Sequence, residues 1–351
     1  MSATTTDDVG AVRAGDELDW PRIEVHLRDR IEGLDGAMDV RQFANGTANL
    51  TYLLRFGTTE LVLRRPPFGA LPPGAHDMAR EFKVLSRLWQ VYDRAPRAFV
   101  FCDDPSIAGA DFFVMEYRTG VVVRDDIPSE LGGRSAGRRI GAAFVDAVAD
   151  LHLVDPESCD LGDLGRPDGF VARQVDGWRK RWDIARPGDD HPLMDELGGR
   201  LAETVPTTRR VSVLHNDLHL GNAQFEAGRP DRVTSLFDWD MATIGDPLVD
   251  LGSVLAYWRD DTEPLSASSS SNEPLGLLSK DEAVERYASR TGLELDDVSW
   301  YHAFSRWKIA VIMQQLHNRF LRGESNNERL ATMGENVGRL SQQAHELLGR
   351  R

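Results

Sequence analysis

The stretch that most constrains the fold of this 351-residue chain is VLHNDLHLGN, residues 213–222. It holds two histidines, an aspartate and two asparagines, directly after an apolar run. Three short runs with strand character, VSVL, NAQFE and RVTSLFDW, lie around the connections HNDLHLG and AGRPD. Helical periodicity dominates on both sides of this region. The sequence therefore predicts a small strand insertion, with polar side chains at its turns, inside a mainly helical unit.

The part of the chain before residue 118 has a different pattern. The runs LTYLLRF and ELVLRR are joined by the turn GTT, and AFVFCDD and FFVMEY follow a single amphipathic helix. We predict an α+β protein with a strand-rich unit at 36–117 and a helical unit at 118–351. Residues 1–35 are predicted to be an extension with one short helix, whose first 18 residues are expected to be disordered.

Composition narrows the class of partner. The formal net charge is −15, which disfavours a nucleic-acid surface, and no apolar stretch is long enough to span a membrane. The acidic balance either favours a cationic small molecule or serves solubility. Cys102 and Cys159 form no closely spaced pair, and the N-terminus is polar, so a cytoplasmic location is expected.

Three interpretations of residues 213–222 compete. His215, Asp217 and His219 alternate, as ligands of a zinc ion could, but no further histidine stands in a recognisable ligand motif. A polar connection between strands is the second interpretation. The third is a catalytic loop, because His215, Asp217, Leu218 and Asn222 have the spacing H-x-D-L-x-x-x-N of kinases.

The chemistry of phosphoryl transfer explains that spacing. Asp217 at the apex of the loop can accept the proton of an attacking hydroxyl, and Asn222 can reach a Mg²⁺ ion on the phosphates. A second metal ligand is expected at the end of the next strand. Asp238 stands there, 16 residues after Asn222, and a carboxylate with an amide oxygen suits Mg²⁺.

The segment VLHNDLHLGNAQF…SLFDWDMATIGDPLVDLG resembles the aminoglycoside phosphotransferase and choline kinase group of small-molecule kinases. It is most similar to actinobacterial-type proteins provisionally designated aminoglycoside phosphotransferases. NGTANLTYLL, ELVLRRPP, AREFKVLSRL and VADLHLVDP match further stretches of that family, so the resemblance covers roughly residues 36–320. It implies a protein-kinase-like fold of two lobes, with ATP, or GTP as an alternative, bound between them.

The resemblance also implies roles in the N-terminal lobe. Kinases use a strand lysine, paired to a helix glutamate, to hold phosphates, but position 64 carries arginine. Arg64 is expected to take this role with Glu81 as its partner, because arginine binds phosphate in a bidentate way. Backbone amides around Gly46 and Asn49 are expected either to cover the phosphates or to form only a structural hairpin.

Three further roles are carried over with less specific motifs. Backbone groups of Glu116 and Tyr117 are expected to meet the adenine edge at the hinge. His219 lies where protein kinases place a phosphate-contacting lysine, and it is a second catalytic candidate. Asp240, in a DWD that replaces the protein-kinase DFG, either helps at the metal or substrate or caps the following segment.

The leading function is transfer of the γ-phosphate to a hydroxyl of a small molecule, such as an aminoglycoside or another cationic or hydroxylated metabolite. The alternatives are a catalytically silent nucleotide-binding protein and a zinc hydrolase. A homodimer is compatible with each of these functions. The acceptor is expected among helices of the C-terminal lobe. The aromatic residues there are interpreted either as core or as pocket; they are Trp178, Trp182, Trp300, Tyr301 and Trp307.

Overall fold

The computed structural model describes residues 9–43, 49–69, 77–186, 191–259, 275–325 and 327–349. Its N-terminal lobe is built on a six-stranded antiparallel sheet with the spatial order β1-β2-β3-β4-β6-β5. The strands are β1 (Val9–Gly10), β2 (Met38–Phe43), β3 (Leu50–Phe56), β4 (Thr59–Arg65), β5 (Ala98–Cys102) and β6 (Phe112–Glu116). Three helices accompany them: α1 (Trp20–Arg28), α2 (Met78–Leu85) and α3 (Pro105–Ala108).

The hairpin of β3 and β4 forms as its sequence predicts. Phe56 pairs with Thr59, and Gly57 adopts a φ of +57°, a left-handed conformation that glycine reaches without a steric penalty. Leu53, Val62 and Phe113, from three adjacent strands, are buried on the face of the sheet that packs against α2. This hairpin sets the direction of Arg64, which lies opposite Thr51 and is fully buried.

The expectation that residues 1–18 are disordered is wrong for residues 9–18. Val9 pairs with Phe43 at the edge of the sheet, and the backbone N–H of Arg13 donates to the side chain of Gln42 at 2.8 Å. The hydroxyl of Tyr52 donates to the carbonyl of Asp16 at 2.6 Å. These partners are distant along the chain, so the local polar composition gave no sign of them.

The C-terminal lobe is mainly helical, and its helices enclose two small sheets. The helices are α4 (Gly137–Leu153), α5 (Phe170–Ala185), α6 (Pro192–Glu203), α7 (Leu248–Tyr257), α8 (Lys280–Thr291), α9 (Val298–Leu321) and α10 (Asn336–Leu348). One sheet has the order β10-β9-β7, and the other pairs β11 with β8. Their strands are β7 (Val121–Val122), β8 (Ser212–Leu214), β9 (Ala223–Glu226), β10 (Arg229–Leu236) and β11 (Thr243–Gly245). The predicted α+β, protein-kinase-like class is confirmed.

Helix α9 is the centre of this lobe, and α5, α7 and α10 pack around it. Trp300 and Trp307 are fully buried on it, as expected of a helix that is apolar on most of its circumference. Gly252 of α7 lies so close to the carbonyl of Tyr301 that a side chain there would collide. The close approach of α7 to α9 therefore depends on glycine at this position.

Polar contacts from α2 connect the two lobes. Arg80 donates to the carbonyls of Ala242 and Leu164, each at 2.8 Å, and Lys83 pairs with Asp163 at 2.6 Å. These contacts hold the N-terminal sheet over the segment between α4 and α5 and the loop that follows β10.

No helix among the described residues is long and apolar enough to cross a membrane. Both cysteines are free thiols and are buried. Burial raises the pKa of each thiol, so neither is activated as a nucleophile.

Candidate active site

The loop that carries Asp217 connects two strands of different sheets. It leaves β8, which pairs with β11, and enters β9 through a single 3-10 turn at Leu220–Asn222. Asn216 adopts a φ of +66°, a conformation that non-glycine residues seldom use but that asparagine tolerates. Its side-chain amide donates to the carbonyl of Met241 at 2.8 Å. This bond stabilises the turn that brings Asp217 to the apex.

Asp250 of α7 anchors the base of the loop. Its carboxylate accepts the backbone N–H of His215 at 2.7 Å and that of Asn216 at 2.8 Å, and it lies 3.3 Å from Nε2 of His152. The other ring nitrogen of His152 is 2.8 Å from the hydroxyl of Tyr287. Burial opposes ionisation of Asp250, but these bonds outweigh it and hold its pKa below the usual value. Asp250 therefore positions the loop that carries Asp217.

His215 links this loop to the segment that carries Asp238. Its Nε2 lies 3.0 Å from the carbonyl oxygen of Phe237, and its ring packs 4.6 Å from that of Trp239. Asp238 lies between these two contacts. The histidine is fully buried and so is placed to support the site rather than to touch a substrate.

Asp217 and Asn222 are in direct contact. The amide nitrogen of Asn222 donates to the carbonyl of Asp217 at 2.9 Å and to its carboxylate at 3.1 Å. The Asp217 side chain is 36% exposed, so it can meet a substrate. Because the amide nitrogen of Asn222 is used in this way, its oxygen is the atom left for a cation. The backbone of Asn222 accepts the N–H of Phe237 at 3.1 Å, which brings Asp238 alongside.

Asp238 is held in a left-handed conformation, with a φ of +71°. Its Oδ1 lies 2.6 Å from Nη2 of Arg64, which reaches it from β4. Burial works against ionisation of Asp238, but the Arg64 guanidinium prevails and holds the pKa of this carboxyl well below its usual range. The carboxylate is therefore charged at neutral pH, as a metal ligand must be.

Arg64 also pairs with Glu81 of α2, with 2.6 Å between Nη1 and Oε1. Both side chains are almost completely buried. Burial raises the pKa of Glu81 to about 8, while the adjacent Arg64 opposes that rise. At a separation of 2.6 Å the charged pair is the arrangement we favour, because a protonated Glu81 would leave the guanidinium with less compensation.

His219 lies beside Asp217, with 3.9 Å between Nε2 and Oδ2. Its ring is also in contact with Tyr257 at the end of α7, with 5.5 Å between centroids. Burial lowers the pKa of His219 although Asp217 opposes this, so the imidazole is neutral at pH 7. Gly221 leaves space for the ring, because a side chain at 221 would collide with it.

Asp240 is close to Asp238 and Asp217 but is bonded to neither. Burial raises the pKa of Asp240, and the charge of Asp238 adds to this effect. Its place beside the two carboxylates leaves both roles open: help at a metal or substrate, and capping of the segment.

The predicted hinge follows β6. The backbone N–H of Glu116 already donates to the carbonyl of Arg97 at 2.8 Å, so that donor is not open to an adenine ring. The ring of Tyr117 lies 6.4 Å from that of Phe43, the last residue of β2. Asn49 is buried immediately before β3, and Gly46 lies outside the described residues.

The donor set fits a hard, weakly held cation better than zinc. Asn222 and Asp238 supply one amide oxygen and one carboxylate, which suits Mg²⁺ accompanied by phosphates. Within the described residues there is no group of three or more His, Cys, Asp and Glu side chains that could hold a metal ion. The zinc interpretation therefore has no ligand set in this part of the chain.

Two residues beside Asp217 were not predicted. Tyr257 contacts His219, and the negative charge of Asp217 acts to raise the pKa of Lys308 on α9. A lysine within the apolar run RWKIAVIM was the available sequence signal for Lys308. The five aromatic residues that were interpreted either as core or as pocket are all buried. Among them, Trp178 contacts Lys308.

Comparisons with known proteins identify relatives of this chain. The human protein named acyl-CoA dehydrogenase family member 11 is 32% identical over 337 residues, which are 93% of this chain and 42% of that protein. The chain thus spans less than half the length of the curated relatives that it matches.

Solved structures share the fold. A Ralstonia eutropha protein, provisionally designated an aminoglycoside phosphotransferase, is 26% identical with a TM-score of 0.82, covering 95% of this chain and 99% of that one. A mutant of aminoglycoside phosphotransferase APH(4)-Ia, solved as a ternary complex with AMP-PNP and hygromycin B, has a TM-score of 0.58 at 16% identity. The match covers 92% of this chain and 98% of the APH(4)-Ia chain.

The model of the phosphotransferase enzyme family (APH) matches residues 39–274, which are more than half of the chain. The resemblance stated from the sequence is confirmed. Because this match covers more than half of the chain and the two-lobed fold agrees with it, this chain belongs to the APH phosphotransferase enzyme family.

Proposed function

We propose that this protein is a small-molecule kinase that transfers the γ-phosphate of ATP, with Mg²⁺, to a hydroxyl group. The observation that carries the proposal is a continuous set of contacts: Asp217 with Asn222, Asn222 with the segment of Asp238, and Asp238 with Arg64. These side chains come from both lobes and meet in one cleft. Such an arrangement serves to place a nucleotide against an acceptor.

Each side chain has a distinct part in the proposed reaction. Asp217 accepts the proton of the acceptor hydroxyl as the oxygen–phosphorus bond forms and the bond to the leaving ADP breaks. Asn222 and Asp238 hold the cation, which neutralises phosphate charge when it is bound. Arg64 contacts the phosphates from the other lobe, with Glu81 fixing its direction.

The solved relatives support the choice of nucleotide. AMP-PNP, a non-hydrolysable relative of ATP, is in the ternary complex of the APH(4)-Ia mutant, whose fold this chain shares. GTP remains an alternative, because no described contact in the hinge discriminates between purines.

Nucleotide binding is the first test. At a concentration about 100 times Kd, Mg²⁺–ATP should raise the unfolding free energy by roughly 2.7 kcal/mol. Asp238→Asn should lose most of the resulting melting shift. Asp231→Asn is the matched control, because Asp231 lies on the preceding strand β10 and is half-exposed in a surface pair with Arg139. No shift with ATP or GTP in the presence of Mg²⁺ would contradict the proposal.

Turnover and metal content separate the alternatives. A silent nucleotide-binding protein would show the melting shift but neither phosphorylate an acceptor nor hydrolyse ATP. Stoichiometric zinc in the purified protein would favour a hydrolase instead. The kinase predicts ADP release that requires Mg²⁺ and is lost in Asp217→Asn.

A further inference from the structure

Lys308 is a partly buried cation of the C-terminal lobe that the proposed reaction does not use. It shares one face of α9 with Tyr301 and Ser305, and Ser305 contacts α7 at Ser253, with 3.5 Å between the hydroxyls. The negative charges of Asp217 and Asp250 act on it. Lysine occurs at only four positions in this acidic chain.

A second positive charge lies next to it. The ammonium of Lys308 is 5.4 Å from the centre of the Trp178 ring, and the guanidinium of Arg181 is 4.3 Å from the same ring. Trp178 belongs to α5, which packs against α9. Both cations are attracted by the aromatic ring, which holds them near one another despite their mutual repulsion.

No hydrogen bond or ion pair satisfies the Lys308 ammonium within the described part of the chain. The two carboxylates whose charges act on it are already engaged: Asp250 by the backbone of the catalytic loop, and Asp217 by Asn222. The Lys308 side chain is partly exposed, so an anion can reach its ammonium and gain a charged partner there.

From this geometry we infer that Lys308, with Arg181 beside it, forms the anion-binding end of the acceptor site. The acceptor is then a hydroxyl compound that also carries a carboxylate or a phosphate ester. This inference rests on the proposed kinase function and adds to it the charge of the acceptor. The anionic group sits on Lys308 while the hydroxyl reaches Asp217.

The inference reverses one expectation from composition. A net charge of −15 was compatible with a cationic acceptor, but Lys308 and Arg181 place two positive charges at the Trp178 ring. An aminoglycoside or a quaternary ammonium compound would be repelled by Lys308 and Arg181. The charge of the whole protein therefore does not report the charge of the acceptor site.

Binding is measured first, because it needs no known substrate. Melting shifts are recorded with AMP-PNP, Mg²⁺ and millimolar probes of three kinds: 3-hydroxybutyrate and glycerol 3-phosphate as anions, 1,3-butanediol and glycerol as neutral counterparts, and choline and kanamycin as cations. We expect an additional shift with at least one anion, and the two anions distinguish a carboxylate from a phosphate ester. A shift with the neutral or cationic probes alone, or with no probe, would overturn the inference.

Variants then assign the effect to the side chain. Lys308→Met should weaken binding of the effective anion about 10- to 100-fold, and Lys308→Arg should retain it. Lys180→Met is the matched control, an exposed lysine on α5. An unchanged anion affinity in Lys308→Met would overturn the inference.

Turnover distinguishes this inference from the kinase proposal itself. Lys308→Met should reduce kcat/KM for the anionic acceptor while the slow ATPase reaction with water and the nucleotide melting shift remain. An equal loss for all acceptors and for water would place Lys308 on the transferring phosphoryl group and overturn the acceptor role. Wild-type phosphorylation of a cationic acceptor alone would leave the kinase proposal standing and refute the anion site.

Discussion

Arg64 and Asp238 form an ion pair with 2.6 Å between Nη2 and Oδ1, although 174 residues separate them along the chain. The same guanidinium holds Glu81 through its other nitrogen. Two carboxylates from different lobes thus share one buried arginine. This arrangement joins the stability of the fold to the state of the nucleotide site.

Arg64→Met should therefore lower both stability and nucleotide affinity. Methionine keeps a long side chain, but Glu81 and Asp238 lose their counter-charge inside the protein. Removing one partner of a buried pair lowers the free energy of unfolding by about 3–5 kcal/mol, and chemical denaturation measures this change.

The matched control is Arg55→Met. Arg55 pairs with Glu60 at 2.7 Å on the same hairpin, but both side chains are about one-third exposed. Exposed pairs contribute little, so the expected loss is under about 1 kcal/mol. Equal losses in the two variants would show that burial of the Arg64 cluster is not what stabilises it.

Asp250→Ala should destabilise the protein through the catalytic loop. The substitution leaves the backbone N–H groups of His215 and Asn216 buried without an acceptor, together with His152. Each unsatisfied group reduces stability by about 1–3 kcal/mol, so denaturation should show a total loss of at least about 3 kcal/mol. Asp231→Ala, at an exposed position, should stay within about 0.5 kcal/mol. A loss below that of the control would refute the anchoring role.

The local parts of this candidate site could be predicted from residue spacing, whereas the distant parts needed the family resemblance or were missed. Asp217, Asn222 and Asp238 were found because a loop and the hairpin after it fix their spacing within one short segment. Arg64 and Glu81 required a family resemblance, since their meeting depends on how α2 packs on the sheet. Lys308 lies 91 residues after Asp217 and arrives there only through the packing of α9 on α7, which no local pattern reports.

Binding of an anionic acceptor should weaken as the solution becomes alkaline. Burial lowers the pKa of Lys308 below its ordinary 10.5, with Arg181 adding to this and Asp217 and Asp250 opposing it. Below the lowered pKa the ammonium is charged and holds the anion; as the pH rises through that value the charge and the affinity are lost.

The arginine variant provides the control for this pH dependence. Arginine stays protonated throughout the range, so Lys308→Arg should keep its affinity for the anion where the wild type loses it. Melting shifts with the effective anion, measured from neutral pH to just below 10.5, compare the two. A parallel loss in both proteins would assign the pH dependence to another group.

Asp217→Asn should abolish most of the catalysis without removing the nucleotide. A hydroxyl is a poor nucleophile until its proton leaves, and in this cleft Asp217 is the exposed carboxylate bonded to Asn222. Asparagine keeps the size of the side chain but has little basicity, and positioned general bases contribute about 10²–10⁴-fold. We expect kcat to fall within that range while the Mg²⁺–ATP melting shift is retained.

Asp238→Asn should differ from Asp217→Asn, because it weakens nucleotide binding together with turnover. The comparison uses an acceptor that the wild-type protein phosphorylates. Where no such acceptor has been found, it uses the slow hydrolysis of ATP. His219→Asn serves as the matched neighbour: its imidazole is neutral and 3.9 Å from Asp217, so its loss should have a smaller effect on kcat. Asp217→Asn could instead keep near-normal turnover on an acceptor of the wild-type protein, while His219→Asn or Asp240→Asn loses it. The proton would then pass to the residue whose substitution abolishes turnover.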